Sequence, residues 1–164
     1  MRPSVMLLAC AFTLLSGLQS SRGQGSAIEH NVSVPMSVVG NAPFITLTFN
    51  KPGGGVRTAQ FVFDSGGGAI ILDQDLAMDI GLKPEGAIIS EDGQQYQPVE
   101  IPEASIGGMP LDLHTSKAFV HQGTGSFTNR NRVEGLLPGK ALEHYQVVLD
   151  YPLSGGQLCG QLCR

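Results

Sequence analysis

The chain has 164 residues, enough for one domain of ordinary size once a leader is set aside, and 41% of them are hydrophobic against 15% charged. A net charge of −4, with 22 glycines, 10 prolines, three cysteines and no tryptophan, excludes a basic face for nucleic acid, long charged helices and a dense disulfide framework. A mostly β domain of short strands and turns remains, with peptides or a second copy of itself as natural partners.

Residues 1–23 read as a secretory signal peptide. Arg2 supplies the positive start, Val5–Leu18 the apolar run and Ser21-Arg22-Gly23 a small-x-small cleavage site. The run of about 14 residues, interrupted by Thr13, Ser16 and Gly17, is shorter than the ~20 needed to cross a bilayer. Export to the periplasm or the medium is therefore expected, with no membrane span left after cleavage. Cys10 lies inside the run and not at its end, which makes lipidation there the minor alternative.

Beyond a small polar linker, Val32, Val34, Met36 and Val38 alternate as a strand does. Pro43–Phe49 and Thr58–Phe63 form a hairpin around Asn50-Lys51-Pro52-Gly53-Gly54-Gly55. The second strand delivers Asp64 into a glycine turn, followed by apolar Ile70-Ile71-Leu72. Asp73 is placed to cap a short helix through Ile80, with Gly81 as its terminator and Pro84 beyond. Short strands are expected at Ile88-Ile89, Tyr96–Ile101, Ala104–Leu113 around Gly107-Gly108, and Lys117–Val120. The turn Glu91-Asp92-Gly93 separates the first two, and His121–Arg132 is a polar loop. Gly135-Leu136-Leu137-Pro138-Gly139 leads into a short helix, Lys140–His144, and a strand, Tyr145–Tyr151. The folded domain is thus expected over residues 27–152. Residues 153–164 are expected to form an atypical tail, whose Cys159 and Cys163 could pair, bind a metal with help or stay as thiols.

Phe61-Val62-Phe63-Asp64-Ser65-Gly66 resembles the signature of the retropepsin-like aspartic peptidases, and Ile70-Ile71-Leu72 with Leu76-Ala77 and Gly81-Leu82 resembles what bacterial members carry next. About 70 residues downstream, Val133–Leu142 and Tyr145–Tyr151 are similar to that family's Gly-Ile/Leu-Leu-Gly segment, helix and closing strand. Three places depart from the pattern. Gly67 stands where Ala, Ser or Thr is usual, Pro138 where Gly is usual, and the tail after Pro152 replaces a charged hairpin and one more apolar strand.

The resemblance implies an acid-protease β-barrel with one or two short helices and an aspartic endopeptidase without cofactor. In that chemistry two carboxyls share one proton: the ionised one takes a proton from a bound water while the neutral one protonates the scissile carbonyl. Asp64 would be the carboxylate, with Ser65 bonding across the pair and Gly66 letting backbone N–H groups approach. Gly135, Leu136 and Leu137 would support the site. Asp92 and Gly93 would form the tip of a flap over the substrate. No second Asp-Ser/Thr-Gly exists, because Asp92-Gly93 lacks the hydroxyl and Asp150 lacks the glycine turn. The site therefore requires a homodimer with Asp64 on its twofold axis.

A bare Asp-Ser-Gly also describes a turn residue capping its own loop, and the rival function is a non-catalytic secreted domain of the same fold that binds peptides or a protein partner. The remaining motifs carry nothing. Gly135–Ala141 is one residue short of a phosphate loop and lacks its hydroxyl. The glycine runs lack dinucleotide spacing. His30, His114, His121 and His144 are scattered as exposed histidines, without metal-ligand spacing. Asn31-Val32-Ser33 is a glycosylation sequon only in a eukaryotic secretory pathway.

Overall fold

The computed structural model describes residues 31–39, 41–114, 116–123, 133–150 and 158–163. The signal peptide, Cys10, His30 and most of the polar loop lie outside the described residues, as do residues 151–157.

Period-two alternation accounts for the central hairpin. Strands β2 (Ala42–Asn50) and β3 (Val56–Asp64) pair antiparallel from Phe44↔Val62 to Asn50↔Val56. They turn Ile45, Leu47 and Phe49 on one, and Ala59, Phe61 and Phe63 on the other, into the same core. Phe49 and Phe61 are fully buried with ring centroids 5.9 Å apart. Each contributes roughly 1.5–3 kcal/mol by leaving water.

Beyond this hairpin the sheet continues through β10 (Gly135–Pro138) and then β4 (Ile70–Asp73). β10 runs parallel to β3 and antiparallel to β4. A side chain at Gly135 would collide with the Phe61 ring and with the Ile71 carbonyl at 2.5 Å, so three strands crowd at that point and only glycine fits. β4 then pairs parallel with β9 (Ala118–His121), β9 with β6 (Gln94–Val99), and β6 with the edge strand β5 (Ile89–Glu91). The short hairpin β7 (Ala104–Ile106) and β8 (Met109–Leu111) packs on β2. Every strand of the path but the exposed edge strand β5 contributes to one apolar cluster, as expected of a mixed sheet around a single core.

Helix α1 (Gln74–Asp79) follows β4. It ends as the sequence predicts, with Gly81 at φ +72°, the Leu82 N–H donating to the Ala77 carbonyl at 2.8 Å and the Gly81 N–H donating to Met78 at 3.0 Å. The Asp73 side chain makes no capping bond to the helix. The segment expected as a helix over Lys140–His144 is instead a single 3-10 turn, Gly139–Leu142, since Tyr145 bonds back three residues to Leu142 and the chain enters the next strand at once.

The C-terminal segment corrects the expected boundary. Residues Leu158–Cys163 form β12, which lies between β1 (Asn31–Val39) and β11 (Gln146–Asp150) and pairs antiparallel with both. Leu162 and Gly160 are buried against Val34 and Met36. Pairing on both sides makes this segment a strand although its own composition is poor in strand formers.

One charged cluster ties the periphery together. Arg57 reaches Asp79 at 3.0 Å, Glu134 and the Thr58 carbonyl, linking β3 to the end of α1 and the entrance to β10. Because these side chains are partly in water, replacing Arg57 with Ala is expected to cost only about 1 kcal/mol, read from the shift of a urea unfolding midpoint. No helix among the described residues is long and apolar enough to cross a membrane.

Candidate active site

Asp64 ends β3, where an apolar strand rises out of the core and breaks into Ser65-Gly66-Gly67. Both its side chain and its main chain hold the turn. The Gly66 N–H donates to Asp64 Oδ1 at 2.9 Å, and the Gly67 N–H donates to the Asp64 carbonyl at 3.4 Å. A carboxylate fixed through one oxygen in this way keeps the other for chemistry. Asp64 is half-buried while Ser65 and Gly66 are exposed, so the carboxyl stands at the surface, within reach of a substrate or a second protomer.

The predicted support segment is brought to this turn by the parallel pairing of β10, which sets Leu137 opposite Phe63 and Pro138 opposite Asp64. Leu137 is fully buried beneath the turn, and Leu136 is half-buried. Gly139 comes so close to Ser65 that a Cβ there would lie 2.9 Å from its carbonyl oxygen. Two glycine-lined chain segments therefore touch backbone to backbone, which is how sequence-distant residues make one rigid seat.

A cleft of about 600 Å3 opens on Ser65–Gly68 and is walled by Ser116, Lys117, Lys140 and Glu143. Sequence reading missed these residues. Their only signal was position, Lys117 just before β9 and Lys140 just after β10, the two neighbours of β4. The hydrogen bond from Lys140 holds the Glu143 carboxyl below its ordinary value. That interaction favours folding above the ordinary carboxylate range and fades as the pH falls through it; full exposure keeps it weak.

The proposed flap residues are not part of this cluster. Asp92 at φ +50° and Gly93 at φ +75° form a tight I′-type turn at the tip of the β5–β6 hairpin, where left-handed backbone selects this pair of residues. In strand order β10, β4, β9 and β6 separate β5 from β3. The base of the hairpin rests on His121, whose ring centroid is 5.6 Å from that of Tyr96 and whose Nε2 lies 2.7 Å from Gln94 Oε1. His114 and His144 are exposed as expected, but His121 is half-buried, because Tyr96 of β6 pairs directly against it.

Among solved structures, the chain is similar to the crystal structure of a retropepsin-like aspartic protease from Rickettsia conorii. The TM-score is 0.51 with 16% sequence identity, over 82% of this chain and 93% of that one. No protein-family model and no curated protein matches the sequence. At that identity the likeness is one of fold, and the fold is the mostly β, mixed-sheet arrangement with one short helix that the resemblance in the sequence implies.

Proposed function

We propose that this chain is an exported aspartic endopeptidase that hydrolyses peptide bonds as a homodimer. The observation that carries the reading is Asp64 itself: a half-buried carboxyl at the end of a strand, held through one oxygen by the Gly66 N–H at 2.9 Å, on a retropepsin-like fold.

One protomer supplies one such carboxyl, so the working site forms where a twofold axis brings two copies of Asp64 together. The ionised member accepts a proton from a water held between them, the oxygen of that water attacks the peptide carbonyl, and the neutral member gives its proton to the carbonyl oxygen. The tetrahedral diol then collapses: the C–N bond breaks as the proton gained is passed to the departing amine, and the other carboxylate takes back a hydroxyl proton, leaving a carboxylic acid and one neutral and one ionised carboxyl as at the start. Ser65 bonds across the axis, the glycine turn keeps both carboxyls in place, and the β5–β6 hairpin closes over the peptide with Asp92 and Gly93 at its tip.

The test is incubation of the purified mature protein with a mixed peptide library between about pH 3 and pH 7, where carboxyl pairs of this kind operate, with sedimentation on the same samples. Cleavage blocked by an aspartic-peptidase inhibitor and confined to the dimer is expected. A protein that stays monomeric under all conditions cannot assemble this site. A folded dimer that cleaves nothing would turn the reading to a peptide-binding domain of the same fold.

A further inference from the structure

We infer that Gly67 and Pro138 are a coupled pair of positioning residues: the pyrrolidine ring of Pro138 fills the space that a side chain at residue 67 would need, so that only glycine there leaves the Asp64 carboxylate in its seat. This rests on the reading of Asp64 as the working carboxyl. A Cβ built on Gly67 lies 3.0 Å from Asp64 Oδ2, 3.1 Å from Pro138 Cβ and 3.3 Å from Leu136 Cδ2, all tighter than ordinary contact. Gly67 is absent from the positive-φ residues, so its backbone makes no special demand. The requirement is space.

The backbone around the turn cannot yield freely. Pro138 is fully buried and paired in register with Asp64. On the far side, Gly139 lies against the Ser65 backbone, where an added Cβ would be 2.9 Å from Ser65 O and 3.2 Å from Ser65 Cα. The turn is thus held from both sides, and a methyl group at residue 67 presses hardest on Asp64 Oδ2, the nearest of its neighbours at 3.0 Å, with the carboxyl group and the half-buried Leu136 side chain as the parts free to turn. Turning the carboxyl group draws Oδ1 away from the Gly66 N–H. Removing the ring of Pro138 opens the opposite direction, into which the methyl can move instead.

The experiment compares wild type, Gly67→Ala, Pro138→Gly and the double variant by peptide cleavage and by the NMR shift of the Gly66 amide proton, which reports its bond to Asp64 without requiring activity. Gly67→Ala is expected to lower kcat by about 10- to 100-fold with KM little changed, as small misplacements of a reacting group do, and to move the Gly66 amide proton upfield. The double variant is expected to recover the amide shift and to return to within about threefold of the kcat of Pro138→Gly, so that the two changes are strongly non-additive. If Gly67→Ala fails to fold, a folded double variant with a restored amide shift supports the coupling equally. A Gly67→Ala protein indistinguishable from wild type overturns it, as does a double variant no better than Gly67→Ala or unfolded with it. A wild type that cleaves nothing overturns the peptidase reading instead, and the amide shifts then decide the coupling alone.

Discussion

If the proposed peptidase reading holds, substituting Asp64 with Asn is expected to lower peptide cleavage by at least 10²–10⁴-fold, the range that a positioned acid or base supplies, while the unfolding midpoint of the protein moves little. Asparagine keeps the shape of the side chain and its Oδ1, so the Gly66 N–H at 2.9 Å retains an acceptor and the turn is preserved. What is lost is the ability to hold and release a proton. In the proposed homodimer both protomers would carry the change, so no site would retain one normal carboxyl. The measurement is initial cleavage rate at saturating peptide, beside thermal unfolding of the same preparations. Undiminished cleavage would remove Asp64 from the chemistry. Lost cleavage accompanied by a large drop in unfolding temperature would instead assign the residue to holding the turn, as a capping carboxylate does.

Removing residues 158–163 abolishes cooperative folding. β12 is the shared partner of Asn31–Met36 in β1 and of Gln146–Asp150 in β11, so its loss leaves two unpaired edges and exposes Val34, Met36, Val147 and Leu149, which pack around Leu162. A domain of this size is stable by only about 5–15 kcal/mol, and Leu162→Ala alone is expected to cost roughly 2–5 kcal/mol. Circular dichroism through a urea gradient, on the truncated chain and on the point variant, measures both. A truncated chain that unfolds at the same urea concentration would make β12 dispensable.

The parts of this fold that could be read from the sequence are those in which local pattern and tertiary demand agree. Alternating apolar residues from Ile45 to Phe49 and from Ala59 to Phe63 face one core, and Gly81 ends its helix by the hydrogen bonds that a glycine there permits. β12 was not legible because its strand character comes from neighbours on both sides and not from its own residues. Gly160 interrupts its pattern, yet a Cβ there would lie 2.6 Å from Met36 Sδ, so the glycine records a close approach between strands.

At the candidate site, Asp64 stood out by its glycine turn and by resemblance, but the contact that shapes its surroundings did not. Gly67 and Pro138 are 71 positions apart in the chain. Read singly, each was only a departure from the family's pattern. Only the parallel pairing of β10 with β3, a long-range relation that local pattern does not encode, brings Pro138 against the space a side chain at residue 67 would need. His121 was misread for a similar reason, its partner Tyr96 lying on another strand.

The position of β12 also governs the timing of assembly. Asn31–Met36 of β1 cannot acquire their partner until residues 158–163 have been made, and the register Asn31↔Cys163 closes a loop around nearly the whole domain. Closing so long a loop pays its entropy before the contact returns anything. The hairpin β2–β3, whose ends are joined by a short turn, can form long before. The strand that carries Asp64 is therefore set early and the sheet that flanks it late, so in a nascent or partly unfolded chain β1 and β11 still stand open as edges on which another chain can pair.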